Sequence, residues 1–167
     1  MGNAKVKQLI TLLVILILGL GVSYAGSDGG SVFVGVPVFL ICGVLAFLVN
    51  WMAFIPANMA KTEKYYDLIG STTYLSIVAT AVVLTPELSV RGQLAAMMVA
   101  VWALRLGSFL FKRISQDGHD DRFDDIKINP SRFFIAWSIQ ALWALLTAAC
   151  ALAIITSGEQ KPIELIG

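Results

Sequence analysis

Gly92–Phe111, which reads GQLAAMMVAVWALRLGSFLF, decides the fold. Its 20 residues carry one charge, Arg105, and they end in the pair Lys112-Arg113. A helix rises 1.5 Å per residue, so a run of this length covers about 30 Å, the thickness of a bilayer's hydrocarbon layer. A basic pair directly after such a run marks the point where the chain leaves the membrane.

The same pattern repeats on both sides of this run. Toward the C-terminus a polar segment, Ile114 to Arg132, is followed by a second long apolar run, 133–156. Toward the N-terminus lie 67–85, ended by Pro86-Glu87, and 32–55, ended by Pro56. The first run, 8–25, follows Lys5 and Lys7 and reaches Ser23-Tyr24-Ala25, a small-x-small pattern that a signal peptidase could accept. The favoured reading retains it as a span. The predicted fold is therefore all-α, one membrane domain: a polytopic helix bundle with spans near 8–25, 32–55, 67–85, 92–111 and 133–156.

Composition agrees with this picture. Hydrophobic residues make up 57% of the 167-residue chain and charged residues 14%, against roughly 25% charged in soluble domains. Mean hydropathy is +0.79. With the N-terminus cytoplasmic, Lys5, Lys7, Lys61, Lys64, Lys112, Arg113, Arg122, Lys127 and Arg132 fall inside, against Arg91 and Lys161 outside. Nine against two follows the positive-inside rule. Tyr65, Tyr66, Trp51, Phe133 and Phe134 lie near the same boundary, where aromatic rings favour the headgroup layer. The expected location is an integral membrane one, the inner membrane in a bacterium or the endoplasmic reticulum in a eukaryote. The expected partners are the lipid bilayer and a hydrophobic small molecule. Nucleic acid is excluded, because the basic residues sit in short loops rather than on one stripe.

Metal chemistry is disfavoured as well. Cys42 and Cys150 both lie in apolar runs, His119 is the only histidine, and no ligand spacing is visible. His119 reads as an exposed residue. The surrounding segment, from Gln116 to Asp125, holds five aspartates and reads either as a solvated loop or as a phosphate site. Arg122, Lys127 and Arg132 could hold a phosphate, but that many aspartates oppose it, and no phosphate-binding glycine loop is present.

The chemistry-bearing residues inside the spans form stripes. Met98, Trp102, Arg105, Phe109 and Lys112 are spaced by three or four and share one helix face. Asp67, Ser71 and Tyr74 do the same on the third run, and Trp137, Gln140, Ala144 and Thr147 on the fifth. Arg105 lies seven residues before Lys112, roughly 10 Å deeper. Such an arginine either faces the bundle interior and meets a partner or snorkels toward the headgroups. Three polar stripes facing one another would line a cavity that opens inward. The alternative is helix-to-helix glue, the better reading for Ser71, Thr147 and Gln140 taken singly. Asp67 reads equally as an N-cap or as an acid held at the boundary with a raised pKa. A pair between Asp67 and Arg105 is geometrically reasonable.

Several short motifs occur in order: Tyr66-Asp67-Leu68-Ile69-Gly70-Ser71, then Trp102 to Ile114, then Asp121-Arg122-Phe123-Asp124, Asn129-Pro130, Phe133-Phe134 and Gln140-Ala141-Leu142-Trp143. From Tyr65 to about Trp143 the chain resembles the steroid 5-alpha-reductase-like membrane proteins of unknown function, of the DUF1295 type. The first two spans match only in hydrophobicity. The resemblance implies a membrane enzyme that reduces an enone or a lipid double bond with hydride from NADPH. It implies Asp67 as the catalytic acid beside the substrate carbonyl, where steroid reductases carry an acidic residue. Trp102 falls near a tyrosine of those enzymes. Tyr66, Ser71, Tyr74, Trp102 and Trp137 become the substrate-facing candidates, and Arg105, Arg122 and Gln140 the cofactor-facing ones, with no metal. Such proteins continue through further spans that carry most NADPH contacts. Residues from Lys161 to Gly167 look like the start of the next one. The expectation is a substrate-side, N-terminal half that binds NADPH poorly alone, either a truncated gene product or half of a split protein whose missing helices a separate chain supplies. The competing expectation is a non-catalytic bundle that holds a lipid or another membrane subunit.

Overall fold

The computed structural model of the chain describes residues 2–118 and 120–157. The long apolar runs become α1 (Gly2–Ala25), α2 (Val38–Ala60), α3 (Tyr66–Leu84), α4 (Val90–Asp117) and α6 (Pro130–Thr156). All five are long and apolar enough to cross a membrane. A two-stranded hairpin, β1 (Val32–Phe33) and β2 (Val36–Pro37), joins α1 to α2, and a 3-10 turn (Asp121–Phe123) with the short α5 (Asp124–Lys127) joins α4 to α6. The expected helical bundle is what the chain forms. His119 and the segment from Glu159 to Gly167 lie outside the described residues.

Three boundaries differ from the expectation for local reasons. The apolar pattern places the start of the second span at residue 32, but residues 32–37 pair as a hairpin, with Val32 opposite Pro37 and Phe33 opposite Val36. Val34 (φ 50°) and Gly35 (φ 79°) form its two-residue loop with both backbones left-handed, as a type I′ hairpin turn requires. Glycine takes that conformation readily, whereas β-branched Val34 takes it at a steric cost. Pro56 does not stop α2. The helix runs one further turn and ends on Lys61, whose left-handed backbone lets its N–H donate to the Ala57 carbonyl. The fourth helix continues past Phe111 to Asp117, because Lys112 to Gln116 are helix-compatible residues at the membrane surface. The starts of α4 and α6 carry side-chain caps. Ser89 Oγ accepts from the Gly92 N–H at 3.1 Å, and Asn129 Oδ1 accepts from the Ser131 and Arg132 N–H groups, with Pro130 in the first turn.

Helix α6 is the hub, touching α1, α2, α3 and α4. Its Leu145, Leu152 and Ile155 are fully buried with Val38, Phe39 and Cys42 of α2 and Ile77 of α3, and its Phe133 and Trp137 are buried in a separate cluster with Ala57 and Phe123. Close approach elsewhere uses small residues, the usual means of packing helices in lipid. A Cβ on Gly19 of α1 would come within 2.7 Å of the Phe47 ring on α2. On α4 the buried positions up to Phe111 are Gly92, Ala96, Ala103 and Gly107, and Ile114 is buried nearer the end of the helix. That small-residue seam leans on α3 and α6, and a Cβ on Gly107 would come within 2.8 Å of Ser71 Cβ. Met97, Met98, Trp102, Leu104 and Phe109 consequently point away from the bundle.

Candidate functional site

The three stripes do not face one another across the expected hollow, because the α4 stripe is exposed. The α3–α4 contact is close-packed, and the α4 stripe lies on the outside. Met98 is 73% exposed, Phe109 66% and Trp102 47%, and Arg105 is exposed as well. Together with Met97, Val101 and Leu106 they line an open groove of about 700 Å³ on the outer face of α4. Arg105 faces outward, against the expectation from its cost in the membrane, because the small-residue seam provides the closer helix contact. Arg105 forms no hydrogen bond or ion pair among the described residues.

The inward residues are tied to one another. Asn50 of α2, fully buried, donates through Nδ2 to Thr73 Oγ1 at 3.0 Å and to the Ala46 carbonyl at 2.8 Å. Its Oδ1 accepts from Gln140 Nε2 at 2.9 Å, and the same Nε2 donates to the Tyr66 carbonyl at 3.0 Å. Gln140 reaches both because Gly70 has no side chain in its way. Tyr66 donates its hydroxyl to the Ala136 carbonyl at 2.9 Å, and its ring sits 5.1 Å from Trp137 and 4.7 Å from Phe123. Trp137 is buried at 1% exposure, and its Nε1–H has no hydrogen-bond partner among the described residues. Ser71 bonds back to the Asp67 carbonyl. Tyr74 shares a 2.6 Å hydrogen bond with Thr147 and meets the edge of Trp102 at 4.9 Å. It is thus the one candidate that links the interior to the outer groove.

A second cluster closes one end of the bundle. Asp67 is not an N-cap: Tyr65 precedes α3 without a side-chain cap, and Asp67 lies in the first turn. Nor does it pair with Arg105. Arg113 Nη2 donates to Asp67 Oδ2 at 3.1 Å. The level differs from the expected one because α3 starts at Tyr66 while α4 runs on to Asp117, so eight residues separate Arg105 from the position facing Asp67. The Asp67 Oδ1 atom has no hydrogen-bond donor among the described residues.

The polar connection is docked, not a free solvated loop. Phe123 is buried against Tyr66 and Phe133. Glu63, 6% exposed in the α2–α3 turn, accepts from the Asp120 N–H at 3.1 Å and from Lys127 Nζ at 3.0 Å. Lys127 also pairs with Asp124 at 2.9 Å. Arg122 clasps Asp120 through Nε and Nη2. These bonds hold the Asp120 carboxyl below the usual aspartate range, and Asp124, then Glu63, hold the Lys127 ammonium above the usual lysine range.

Sequence reasoning missed Asn50, Glu63 and Arg113. A lone amide inside an apolar run was the signal for Asn50. Glu63 and Arg113 gave none, since their roles depend on how the connection folds back.

As a cofactor site the described residues do not fit NADPH. Arg122 is occupied by Asp120 and Gln140 by Asn50 and Tyr66, so Arg105 alone of the three cofactor candidates is free. One guanidinium cannot hold a pyrophosphate and two nucleosides. No group of three metal-ligating side chains occurs among the described residues. No match is found among curated proteins or among solved structures. Residues 53–167, from the middle of α2 onward, match the family described as "Protein of unknown function (DUF1295)", and the chain belongs to that family of membrane proteins.

Proposed function

We propose that this chain carries the substrate-facing, membrane-embedded part of an NADPH-dependent reductase acting on an enone or another lipid double bond. The observation that carries the reading is Arg105, a cation within a span, exposed in the outward groove of α4 and without a protein partner among the described residues. An arginine in the hydrocarbon layer gains by meeting an anion or a carbonyl oxygen. Trp102, Phe109 and Met98 supply aromatic and thioether walls suited to a flat apolar ligand. Asp67, at the membrane boundary with one carboxylate oxygen open, is the residue proposed to orient or protonate an acceptor carbonyl. Tyr74 would position Trp102 through their edge contact.

A second reading is favoured by the internal use of Arg122 and Gln140. In it the bundle is non-catalytic, and the same outward face holds a lipid or another membrane subunit. Native membranes with and without the gene, given NADPH and a panel of lipid enones, separate the two. The reductase reading expects a product with two added hydrogens only where the gene is present. It also expects Arg105→Leu to lower turnover at least tenfold without loss of protein. Equal NADPH consumption in both membranes across the panel would remove the reductase reading in favour of the second.

A further inference from the structure

A different surface from the α4 face carries an inference of its own. Helices α1 and α6 are in contact and both begin on the face that carries the α2–α3 turn. Between their first turns lies an open groove of about 770 Å³. Its mouth is polar, with Lys5 and Gln8 from α1 and Ser131 from α6. Its walls are apolar, with Leu9, Leu12 and Phe134. Leu9 and Leu12 lie four and seven residues beyond Lys5, so the change from cation to hydrocarbon occurs over about 6–10 Å along the helices. That is the distance over which a membrane lipid changes from phosphate to acyl chain.

The charge is unbalanced in one direction. Lys5, Lys7 and Arg132 form no side-chain hydrogen bond or ion pair among the described residues. On the same face Glu63, Asp67, Asp120 and Asp124 are already held by Lys127, Arg113 and Arg122; Asp125 is not. A second copy of the chain docked symmetrically would set these cations against each other. We infer that the α1–α6 groove is a binding site for an anionic phospholipid, its phosphate at Lys5 and Ser131 and one acyl chain along Leu9, Leu12 and Phe134. The occupant is at hand, because the groove opens to the bilayer that surrounds the bundle.

The test uses the full chain in nanodiscs of equal phosphatidylglycerol and phosphatidylcholine with matched acyl chains. Lipids that stay on the protein after transfer to detergent are counted by native mass spectrometry. Phosphatidylglycerol should be retained in preference. Lys5→Gln should lower that preference by about fivefold, the effect of one cation near an anionic headgroup. Lys61→Gln, an exposed cation of the same face that bonds Asn58 outside the groove, should leave it unchanged. Leu9→Trp, at a position already 57% exposed, should fill the floor and release both lipids with helicity intact. Equal retention of the two lipids would overturn the inference. So would a preference that falls with Lys61→Gln as much as with Lys5→Gln, or a lipid-free dimer that Leu9→Trp dissociates.

Discussion

Replacing Gln140 by leucine separates a residue that binds a ligand from one that holds the bundle together. Gln140 Nε2 donates two hydrogen bonds, at 2.9 Å to Asn50 Oδ1 and at 3.0 Å to the Tyr66 carbonyl. Asn50 is fully buried, so no water can take the vacated place on its oxygen. An unsatisfied buried acceptor costs about 1–3 kcal/mol in soluble proteins. Interhelical hydrogen bonds in a membrane average about 0.6 kcal/mol and reach about 1.7. Two lost bonds, one of them to a sealed acceptor, therefore destabilise Gln140→Leu by about 1–3 kcal/mol. Asn50→Leu loses the same bond together with its contact to Thr73, and the double variant removes both ends at once. In an SDS unfolding titration the double variant should be more stable than the sum of the single losses by about 0.6–1.7 kcal/mol. Additive losses, or a Gln140→Leu variant as stable as the parent, would refute the interhelical role. They would return Gln140 to the cofactor-facing candidates.

Two further outcomes follow from the closed end of the bundle. A lowered aspartate pKa favours docking above the undocked value and is lost as pH falls through the docked one. A raised lysine pKa favours docking below its free value and is lost as pH rises through the docked one. With Asp120 lowered and Lys127 raised, hydrogen-exchange protection of residues 120–127, corrected for intrinsic rates, should be level through neutral pH. It should fall only below the ordinary aspartate range and above the ordinary lysine range, and a transition near neutrality would contradict the ion-pair account. Trp137→Phe removes a buried N–H that has no acceptor among the described residues. The relief of about 1–3 kcal/mol offsets much of the lost volume, so the net change should stay near 1 kcal/mol, against about 3–5 for Trp137→Ala. Equal losses in the two variants would mean that the indole N–H is in fact bonded.

The number and position of the spans were legible in the residue string, since a bilayer sets a length and 20 apolar residues satisfy it wherever they occur. The family too was legible, through short motifs from Tyr66 to Trp143. The boundaries at Val34-Gly35 and Pro56 were not, because a hairpin turn and a tolerated proline depend on what surrounds them.

Which face of each helix turns inward belonged to the tertiary structure. The polar stripe of α4 was as periodic as its small-residue seam, and periodicity cannot rank two faces of one helix. Packing ranks them: Gly92, Ala96, Ala103 and Gly107 let backbones approach, and Met98, Trp102, Arg105 and Phe109 do not. The partners of Asp67, Gln140 and Arg122 were settled the same way, by helix lengths and by the fold-back of Phe123. Residue spacing states what can share a face, and only the neighbouring surface decides what that face meets.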